Sequence, residues 1–203
     1  MKNYVVDNYE NYREEDRLTT NNARKIEFIT TTRILNELLE KNMKVLDCAA
    51  GAGIYAFYLA ERGYQVTATD ITPRHVDIIN SVLKEKDYHM QTAVLNATDD
   101  EYLDATLADK IIKTGILRHD DEKCFWTDTY YSTKKEMENI YLKNNVQIID
   151  HFAQDGLTPS FSHIVDKWND DQFKIWCDYH YSVCREESIL GASNHVIIVG
   201  KKG

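Results

Sequence analysis

The sequence predicts an α/β fold in which helices cover a mostly parallel β-sheet. Three short apolar runs alternate with helical patterns in the first half of the chain, as they do where parallel strands are joined by right-handed crossovers. The first run ends in a loop of small residues with two glycines, a common strand-to-helix connection in such folds. The 203 residues, 43% of them hydrophobic, are enough for one domain with a real core.

Hydrophobic periodicity and helix start and stop signals define the elements of the first half. Thr72 is expected to cap a helix with Pro73 at its first position, and Gly63 is expected to end the helix before it. In chain order, the predicted elements are a helix from Thr20 or Asn21 to about Glu40, a strand over 44–48, a helix over 52–62, a strand over 65–69, a helix from Pro73, and a strand over 90–95.

The second half of the chain predicts a different arrangement. From Asn96 to Asn145 the pattern is helical in places, and it contains no convincing strand. Strands are expected over 146–152 and 195–199, as an antiparallel, hairpin-like pair followed by a polar tail over 200–203. Between them, one helix is expected to present an apolar face, whose members are Phe173, Trp176, Cys177, His180 and Cys184.

The composition excludes several classes of function. A formal net charge of −9 disfavours a nucleic-acid-binding or membrane-surface protein, because both partners are anionic. The apolar runs are too short for a transmembrane helix, and no signal peptide is expected. The four cysteines form no CxxC pair, which is typical of reduced thiols in the core of a cytoplasmic protein.

The most informative segment is the loop between the first strand and its helix, residues 45–53, with the sequence VLDCAAGAG. Glycines such as Gly51 and Gly53 are needed where a ligand lies directly against the backbone. With Ala56 they also satisfy a loose dinucleotide fingerprint. Asp70, at the end of the second strand, is placed to accept hydrogen bonds from both hydroxyls of a ribose. These residues favour a ribose-bearing ligand over a purely structural turn.

Asp47 distinguishes between the ligand classes. A dinucleotide would place its pyrophosphate over the glycine turn, where a further carboxylate repels it. S-adenosylmethionine carries an ammonium and a sulfonium group there, and a carboxylate at the strand end helps to hold cations. An acidic residue four positions before Gly51 therefore favours the sulfonium ligand.

With these motifs, Asn36 to Asp99 resembles the class I S-adenosylmethionine-dependent methyltransferases that act on small molecules. The resemblance implies a Rossmann-like three-layer sandwich, S-adenosylmethionine as cofactor and S-adenosylhomocysteine as product. In that family the loop binds the methionine part, the second-strand acid binds the ribose, and residues after the third strand border the adenine. The residues that match these positions are Asp47, Ala49, Gly51 and Gly53, then Asp70 and Ile71, then Asn96 and Ala97.

Two of these residues depart from the family pattern. Ala49 stands where the family's first loop glycine is usual, and Asn96 stands where an aspartate is more usual. An amide can still contact an adenine edge. The N-terminal arm also resembles the lid of some small-molecule methyltransferases, which implies cofactor contacts for Tyr12 and Arg17. The competing interpretation of the arm is a solvated, charged segment with no chemical role.

A larger departure is that the family's fourth and fifth strands are not recognisable after Asp99. We therefore expect a sheet reduced from the usual seven strands, within a single domain over 1–203. Its expected parts are an arm or lid over 1–20, a cofactor-binding half over 21–99 and a substrate half over 100–203. The first strand would then lie beside a gap or pair with a C-terminal strand, and an exposed apolar edge makes a homodimer plausible.

Three further groups of residues are candidates for a functional role. The helix with Cys177, His180 and Cys184 is interpreted as a packed core face, so no metal site is expected. The second group is an aromatic one that forms either a substrate wall or half-buried anchors; it comprises Trp126, Tyr130 and Tyr131. The third group consists of histidines that could act as a general base: His119, His151, His163 and His180. No spacing distinguishes one of them, so the catalytic residue stays unknown.

The function that these observations favour is methyl transfer from S-adenosylmethionine to a small-molecule acceptor in the cytoplasm. A second hypothesis is a protein that binds the cofactor or its product but, without the central strands, catalyses weakly or not at all. A third is a nucleotide-dependent oxidoreductase of the NAD type, which Asp47 opposes.

Overall fold

A computed structural model of the chain describes residues 9–86, 90–93, 110, 113–118, 129–130 and 132–202. Its backbone contacts divide the chain into two compact units. Unit 1 comprises Met1–Glu15 and Leu39–Tyr131, and unit 2 comprises Asp16–Leu38 and Ser132–Gly203. The expectation of a single domain stays a prediction.

Among the described residues, α-helices and β-strands alternate through the first half of the chain. In chain order they are α1 (Asn22–Leu38), β1 (Lys44–Cys48), α2 (Ile54–Ala60), β2 (Gln65–Thr69), α3 (Pro73–Glu85), β3 (Met90–Ala93), β4 (Ile116–Leu117), β5 (Thr129–Tyr130), α4 (Lys134–Lys143), β6 (Val146–Ala153), α5 (Ser162–Val165), α6 (Asp170–Val183), α7 (Glu187–Leu190) and β7 (Val196–Lys202).

Unit 1 is built on a three-stranded parallel sheet of order β1-β2-β3. The strand in the middle, β2, buries Val66 and Ala68, and α2 packs against it. The predicted α/β class and the parallel order are confirmed. The predicted ends of β1 and β2 agree with the structure, because short apolar runs between polar residues mark buried strands clearly.

Both helix signals in unit 1 are confirmed. Gly63 follows α2 with a φ of +85°, the left-handed conformation that glycine adopts without steric cost. Thr72 is the N-cap residue of α3 and Pro73 is its first residue. The hydroxyl of Thr72 makes no capping hydrogen bond, so the extended backbone of Thr72 and the fixed φ of Pro73 define this helix start.

Strand β1 lies at an edge of the sheet in the described part of the chain. Only β2 pairs with it there, and Leu46 on β1 has 61% of its surface exposed. The strand of a parallel sheet is usually covered on both faces. The two arrangements expected for β1, a gap beside it or a pairing with a C-terminal strand, stay predictions.

The segment between the two halves contains a feature that the sequence analysis missed. Two short strands, β4 and β5, pair antiparallel, with Ile116 opposite Tyr130 and Leu117 opposite Thr129. The expectation of no strand between Asn96 and Asn145 was therefore wrong. Strands of two residues are too short to produce an alternating pattern, so only their backbone pairing reveals them.

Unit 2 contains a two-stranded sheet in its described residues, formed by β6 and β7. The two strands pair antiparallel from Val146 opposite Lys202 to Ala153 opposite Val196, with an irregularity between Ile148 and Asp150. The predicted antiparallel pair is confirmed. The predicted polar tail over 200–203 was wrong in part, because β7 continues to Lys202 through backbone hydrogen bonds that need no apolar side chains.

Helices α1, α6 and α7 contribute to two apolar clusters of unit 2. One contains Ile34 of α1, Phe152 of β6 and Leu190 of α7, and the other joins Ile26 to Phe173 and Cys177. The predicted apolar face of α6 is confirmed: Phe173, Cys177 and His180 are all buried. The face of α1 also buries polar groups, which are Glu27, Thr30, Thr31 and Thr32.

The cysteines only partly match the expected core thiols. Cys177 and Cys184 are buried, but Cys48, at the end of the edge strand β1, is exposed. Cys124 lies outside the described residues. In the described part of the chain, no helix is long and apolar enough to cross a bilayer.

Candidate cofactor site

The loop between β1 and α2 turns tightly through three left-handed residues. Ala49, Gly51 and Gly53 have φ values of +60°, +53° and +88°. The amide of Ala50 donates to the carbonyl of Thr69 on β2 over 2.8 Å, which ties the start of the loop to the neighbouring strand. The loop therefore presents its backbone at the carboxyl ends of β1 and β2, where ligands of parallel α/β sheets bind.

Glycine is required at two positions of this loop for different physical reasons. A Cβ on Gly53 would lie 2.8 Å from Ile79 Cγ1 of α3, so glycine here allows close packing of the helix start. A Cβ on Gly51 would lie 2.8 Å from Cγ of Glu14 in the N-terminal arm. Within unit 1, the space over Gly51 is thus bordered by a carboxylate side chain.

Asp70, predicted as the ribose acid, is buried and already holds the loop in place. Its Oδ2 accepts the amide of Gly51 over 2.8 Å, and its Oδ1 accepts the amide of Thr72 over 2.8 Å. Burial alone would raise the pKa of Asp70, but the hydrogen bonds with His75, Thr72 and Gly51 lower it below its ordinary value. Asp70 is therefore an anion that organises the ends of β1 and β2.

Asp47 is the opposite case. Its Oδ2 is buried and has no hydrogen-bond partner. Burial raises the pKa of Asp47 to about 6; the backbone hydrogen bond with Ala56 lowers it, and the nearby charge of Asp70 raises it. A buried carboxylate oxygen without a partner is costly unless a ligand satisfies it. The group that suits a second carboxylate beside Asp70 is a cation.

His75 is a residue of this site that the sequence analysis missed. It is 1% exposed, its Nδ1 lies 3.1 Å from Asp70 Oδ1, and its Nε2 is buried without a partner. The ring of Tyr9 meets it edge-on at 5.5 Å between centroids. The contact of His75 with Asp70 has no local sequence signal, because a histidine in an amphipathic helix does not reveal the group behind it.

The arm residues predicted to contact the cofactor lie in two different environments. Tyr12 is 41% exposed, and its carbonyl accepts a hydrogen bond from Arg74 over 3.1 Å. Arg17 belongs to unit 2, where its guanidinium binds both carboxylate oxygens of Glu27 at 2.8 and 3.1 Å. The cofactor contacts of Tyr12 and Arg17 stay predictions.

Several other predicted residues lie outside the described part of the chain. Ile71 is described and follows Asp70 directly at the end of β2, half-buried. The other predicted residues lie outside the described part of the chain, or have only their backbone described there. They are Asn96, Ala97, His119, Trp126, Tyr130 and Tyr131.

The remaining candidate histidines have structural partners or no resolved role. His180 is buried and its Nε2 lies 3.1 Å from the carbonyl of Gln154, which confirms it as a core histidine. His151 Nδ1 lies 3.1 Å from Glu138 Oε1. The sequence analysis missed a pair in unit 2, in which His195 Nδ1 lies 2.7 Å from Asp155 Oδ2. In the described ranges, no group of three or more His, Cys, Asp or Glu is arranged to hold a metal ion.

The fold and this loop define a class of protein. A parallel sheet with a glycine loop after β1 and an acid after β2 is the arrangement of the nucleotide-binding α/β proteins. Within that class, residues 45–126 match the model of a family described as "Methyltransferase domain". This match agrees with the resemblance to methyltransferases that the sequence motifs of the same segment predict.

Solved structures with similar chains include three of different origin. A methyltransferase of Methanosarcina mazei is 15% identical over 58% of this chain and 86% of its own, with a TM-score of 0.44. The PH0226 protein of Pyrococcus horikoshii is 13% identical over 72% of this chain and 92% of its own, with a TM-score of 0.47.

The third is phosphoethanolamine N-methyltransferase 2 of Haemonchus contortus, solved with S-adenosyl-L-methionine. It is 13% identical over 86% of this chain, with a TM-score of 0.48, and this chain spans 52% of its length. The comparison with curated proteins found no match.

Proposed function

We propose that the protein transfers a methyl group from S-adenosylmethionine to a small-molecule acceptor and releases S-adenosylhomocysteine. The observation that carries this proposal is the buried, unpartnered Oδ2 of Asp47 beside a loop with three left-handed residues. The cofactor has an α-ammonium group that supplies the missing donors and charge. A nucleotide phosphate would instead meet the carboxylates of Asp47 and Asp70, both of which repel it.

The residues of the proposed cofactor site follow from the same geometry. Asp47, with the backbone of Ala49, Gly51 and Gly53, would hold the methionine end of the cofactor. Asp70 and Ile71, at the end of β2, would lie against the ribose. Each carboxylate oxygen can accept more than one hydrogen bond, so Asp70 can hold the loop and still accept a ribose hydroxyl. Asn96 and Ala97 would border the adenine. Tyr12 and Arg17, in the arm, would close over the cofactor.

Binding measurements distinguish this proposal from an oxidoreductase. Titration calorimetry with S-adenosylhomocysteine should show one site, and titration with NAD should show none. A chain that binds NAD and not S-adenosylhomocysteine would contradict the proposal. Asp47→Asn serves as the matched variant, since it keeps the side-chain shape while removing the charge that the ammonium requires.

The acceptor is proposed to be a small molecule. A net charge of −9 gives the chain no general attraction for nucleic acid. Methyl transfer is an in-line displacement, and it needs a general base only where the acceptor is not already a free nucleophile. A screen of amines, thiols, hydroxyl compounds and carboxylates, with S-adenosylhomocysteine release as readout, identifies the class. Transfer to RNA or DNA alone would contradict the small-molecule assignment.

A second candidate function is favoured by the edge position of β1. In the described part of the chain, no strand covers the outer edge of β1, and Leu46 on it is exposed. In the resembled family, this side borders the methyl acceptor. A protein with a complete cofactor site and an incomplete acceptor wall would bind S-adenosylhomocysteine and turn over slowly. Several turnovers per second on any acceptor of the screen would exclude this candidate.

The same exposed edge supports a homodimer, because an unpaired strand with an exposed leucine is a template for another chain. Sedimentation of a well-folded monomer at micromolar concentration would contradict the homodimer. The free thiols of Cys48, Cys177 and Cys184 fit a reducing compartment, and we place the reaction in the cytoplasm.

A further inference from the structure

The N-terminal arm of unit 1 is attached to the start of α3 by one residue, Arg74, through its backbone amide and its guanidinium. The Arg74 amide donates to Glu10 Oε1 over 3.3 Å, and its Nη1 donates to the carbonyl of Tyr12 over 3.1 Å. Its Nη2 forms an ion pair with Glu15. The second residue of α3 thus contacts three points of the arm, all between Glu10 and Glu15.

This attachment places Glu14 against the cofactor loop. The position of a Cβ on Gly51 lies 2.8 Å from Glu14 Cγ and 3.2 Å from Glu14 Oε1. Glu14 is the direct neighbour of Glu15, so the ion pair of Arg74 with Glu15 fixes the backbone that carries Glu14. The arm therefore places the carboxylate of Glu14 next to Gly51, the glycine against whose backbone the cofactor is proposed to lie.

A further carboxylate at this loop suits a cationic ligand. Asp70 is satisfied by two backbone amides and His75, whereas Asp47 Oδ2 is buried without a partner. The charge of Asp70 already contributes to the raised pKa of Asp47, which a cation bound nearby would lower. An ammonium group carries three N–H donors, of which Asp47 Oδ2 can accept one.

We propose that Glu14 is a binding residue for the α-ammonium group of the cofactor, and that Arg74 is the positioning residue that holds Glu14 there. This inference rests on the proposed function, because it adds a residue to the same cofactor site. It differs from the contacts that the sequence predicts, since those assign the arm's role to Tyr12 and Arg17. Arg74 acts only through the arm and does not touch the cofactor.

The test compares two adenosine ligands that differ at the methionine end. S-adenosylhomocysteine carries the ammonium group, whereas 5′-methylthioadenosine keeps the adenosine and the thioether but lacks the amino-acid end. Glu14→Gln should weaken S-adenosylhomocysteine binding roughly tenfold, the lower end for hydrogen bonds to charged groups. Binding of 5′-methylthioadenosine should stay unchanged. Glu40→Gln, at an exposed position of unit 1, is the charge-matched control and should change neither affinity.

A double-mutant cycle tests the role of Arg74. Arg74→Ala should weaken S-adenosylhomocysteine binding in the wild-type background and should add nothing in the Glu14→Gln background, because both variants remove the same contact. Lys84→Ala, an exposed basic residue on the same helix, should leave binding unchanged. Thermal melts of each variant establish that it is folded.

The outcomes separate this inference from the proposed function. A wild-type chain that binds neither ligand contradicts the proposed function itself. A wild-type chain that binds both, with Glu14→Gln weakening them equally or not at all, contradicts only the role of Glu14. Additive effects of Arg74→Ala and Glu14→Gln contradict the positioning role of Arg74.

Discussion

At the scale of single residues, Asp47 shows how a buried carboxylate lowers the stability of the folded protein. Its raised pKa of about 6 means that the folded state binds a proton more tightly than the unfolded state does. The free energy of unfolding therefore falls as the pH rises from about 4 to 6, and the full loss persists at neutral pH. Ionised Asp47 therefore opposes folding at neutral pH.

The first prediction follows for Asp47→Asn. At pH 7 the variant should unfold at a higher temperature than the wild type. The gain is at most about 3 kcal/mol, since a pKa unit corresponds to about 1.4 kcal/mol. It should also bind S-adenosylhomocysteine more weakly, because the charged acceptor is lost. Wild-type binding should weaken as the pH falls through 6, and binding of the variant should not change in that range. An equal pH dependence of both proteins would contradict this role of Asp47.

Asp70→Ala leads to a different expectation at the same site. The amides of Gly51 and Thr72 lose their buried acceptor, and an unsatisfied buried donor costs about 1–3 kcal/mol. The variant should therefore lose both thermal stability and affinity for S-adenosylhomocysteine. Asp77→Ala, an exposed position on α3, is the control in both measurements. Wild-type stability in Asp70→Ala would show that the two amides find other partners.

At the scale of elements, the packing of α4 on the β6–β7 sheet depends on one glycine. A Cβ on Gly200 would lie 2.4 Å from Val146 Cγ1 and 2.6 Å from Tyr141 Cδ1. The hydroxyl of Tyr141 also donates to the carbonyl of Ile198 over 3.3 Å. The ring of Tyr141 is thus fixed over β7 at both ends, and it leaves no room for a side chain at Gly200.

Gly200→Ala should accordingly reduce the free energy of unfolding of the chain by roughly 1–3 kcal/mol, because Val146 and the half-buried ring of Tyr141 must shift to admit the methyl group. Denaturant titration measures the change. Gly191→Ala is the matched control, because a Cβ there meets only carbonyl oxygens at ordinary contact distances of 3.6 and 3.9 Å. Equal midpoints for both variants would mean that the helix moves away from the sheet without cost.

The sequence predicts an element well where a local pattern determines it. It fails where a strand depends on a pairing partner that is distant along the chain. The ranges of β1 and β2 follow from apolar runs between polar residues, and the start of α3 follows from Thr72 and Pro73. The pair β4–β5 has no local pattern, and β7 extends through Lys201 and Lys202 because its partner is β6.

The candidate site shows the same division. Spacing predicts Asp47, Gly51 and Asp70, because strand ends and small-residue loops are visible in the sequence. Glu14 lies against Gly51, and its neighbour Glu15 pairs with Arg74, 59 positions further along the chain; no periodicity connects these residues. His75 was also missed, because a histidine in an amphipathic helix carries no sign of a carboxylate behind it.

At the scale of the whole molecule, a low pH should reduce the stability of both units, because each contains a carboxylate that is ionised in the folded state, Asp70 in unit 1 and Asp155 in unit 2. Burial would raise the pKa of Asp155 in unit 2, but hydrogen bonds with His195 and Ser193 and the charge of His195 lower it below its ordinary value. Its contribution to stability is therefore complete above the unfolded pKa of about 4 and is lost as the pH falls through the lower folded pKa.

Asp155→Asn should therefore be less stable than the wild type at pH 7, and the difference should shrink below about pH 4. Thermal melts of both proteins across that range provide the measurement. Asp171→Asn, an exposed position on α6, should follow the wild type throughout. A difference that stays constant down to the most acidic pH would show that Asp155 stabilises unit 2 by packing and not by its charge.

The left-handed backbone of Ala49 has a kinetic consequence. Alanine at a φ of +60° costs about 1 kcal/mol more than glycine does, so the free energy of this loop lies closer to that of its open forms. Local opening of the loop should expose the amides of Ala50 and Gly53, which donate to Thr69 and to Ala50 in the closed form. Hydrogen exchange at these two amides should therefore be faster than at β2, and Ala49→Gly should slow it.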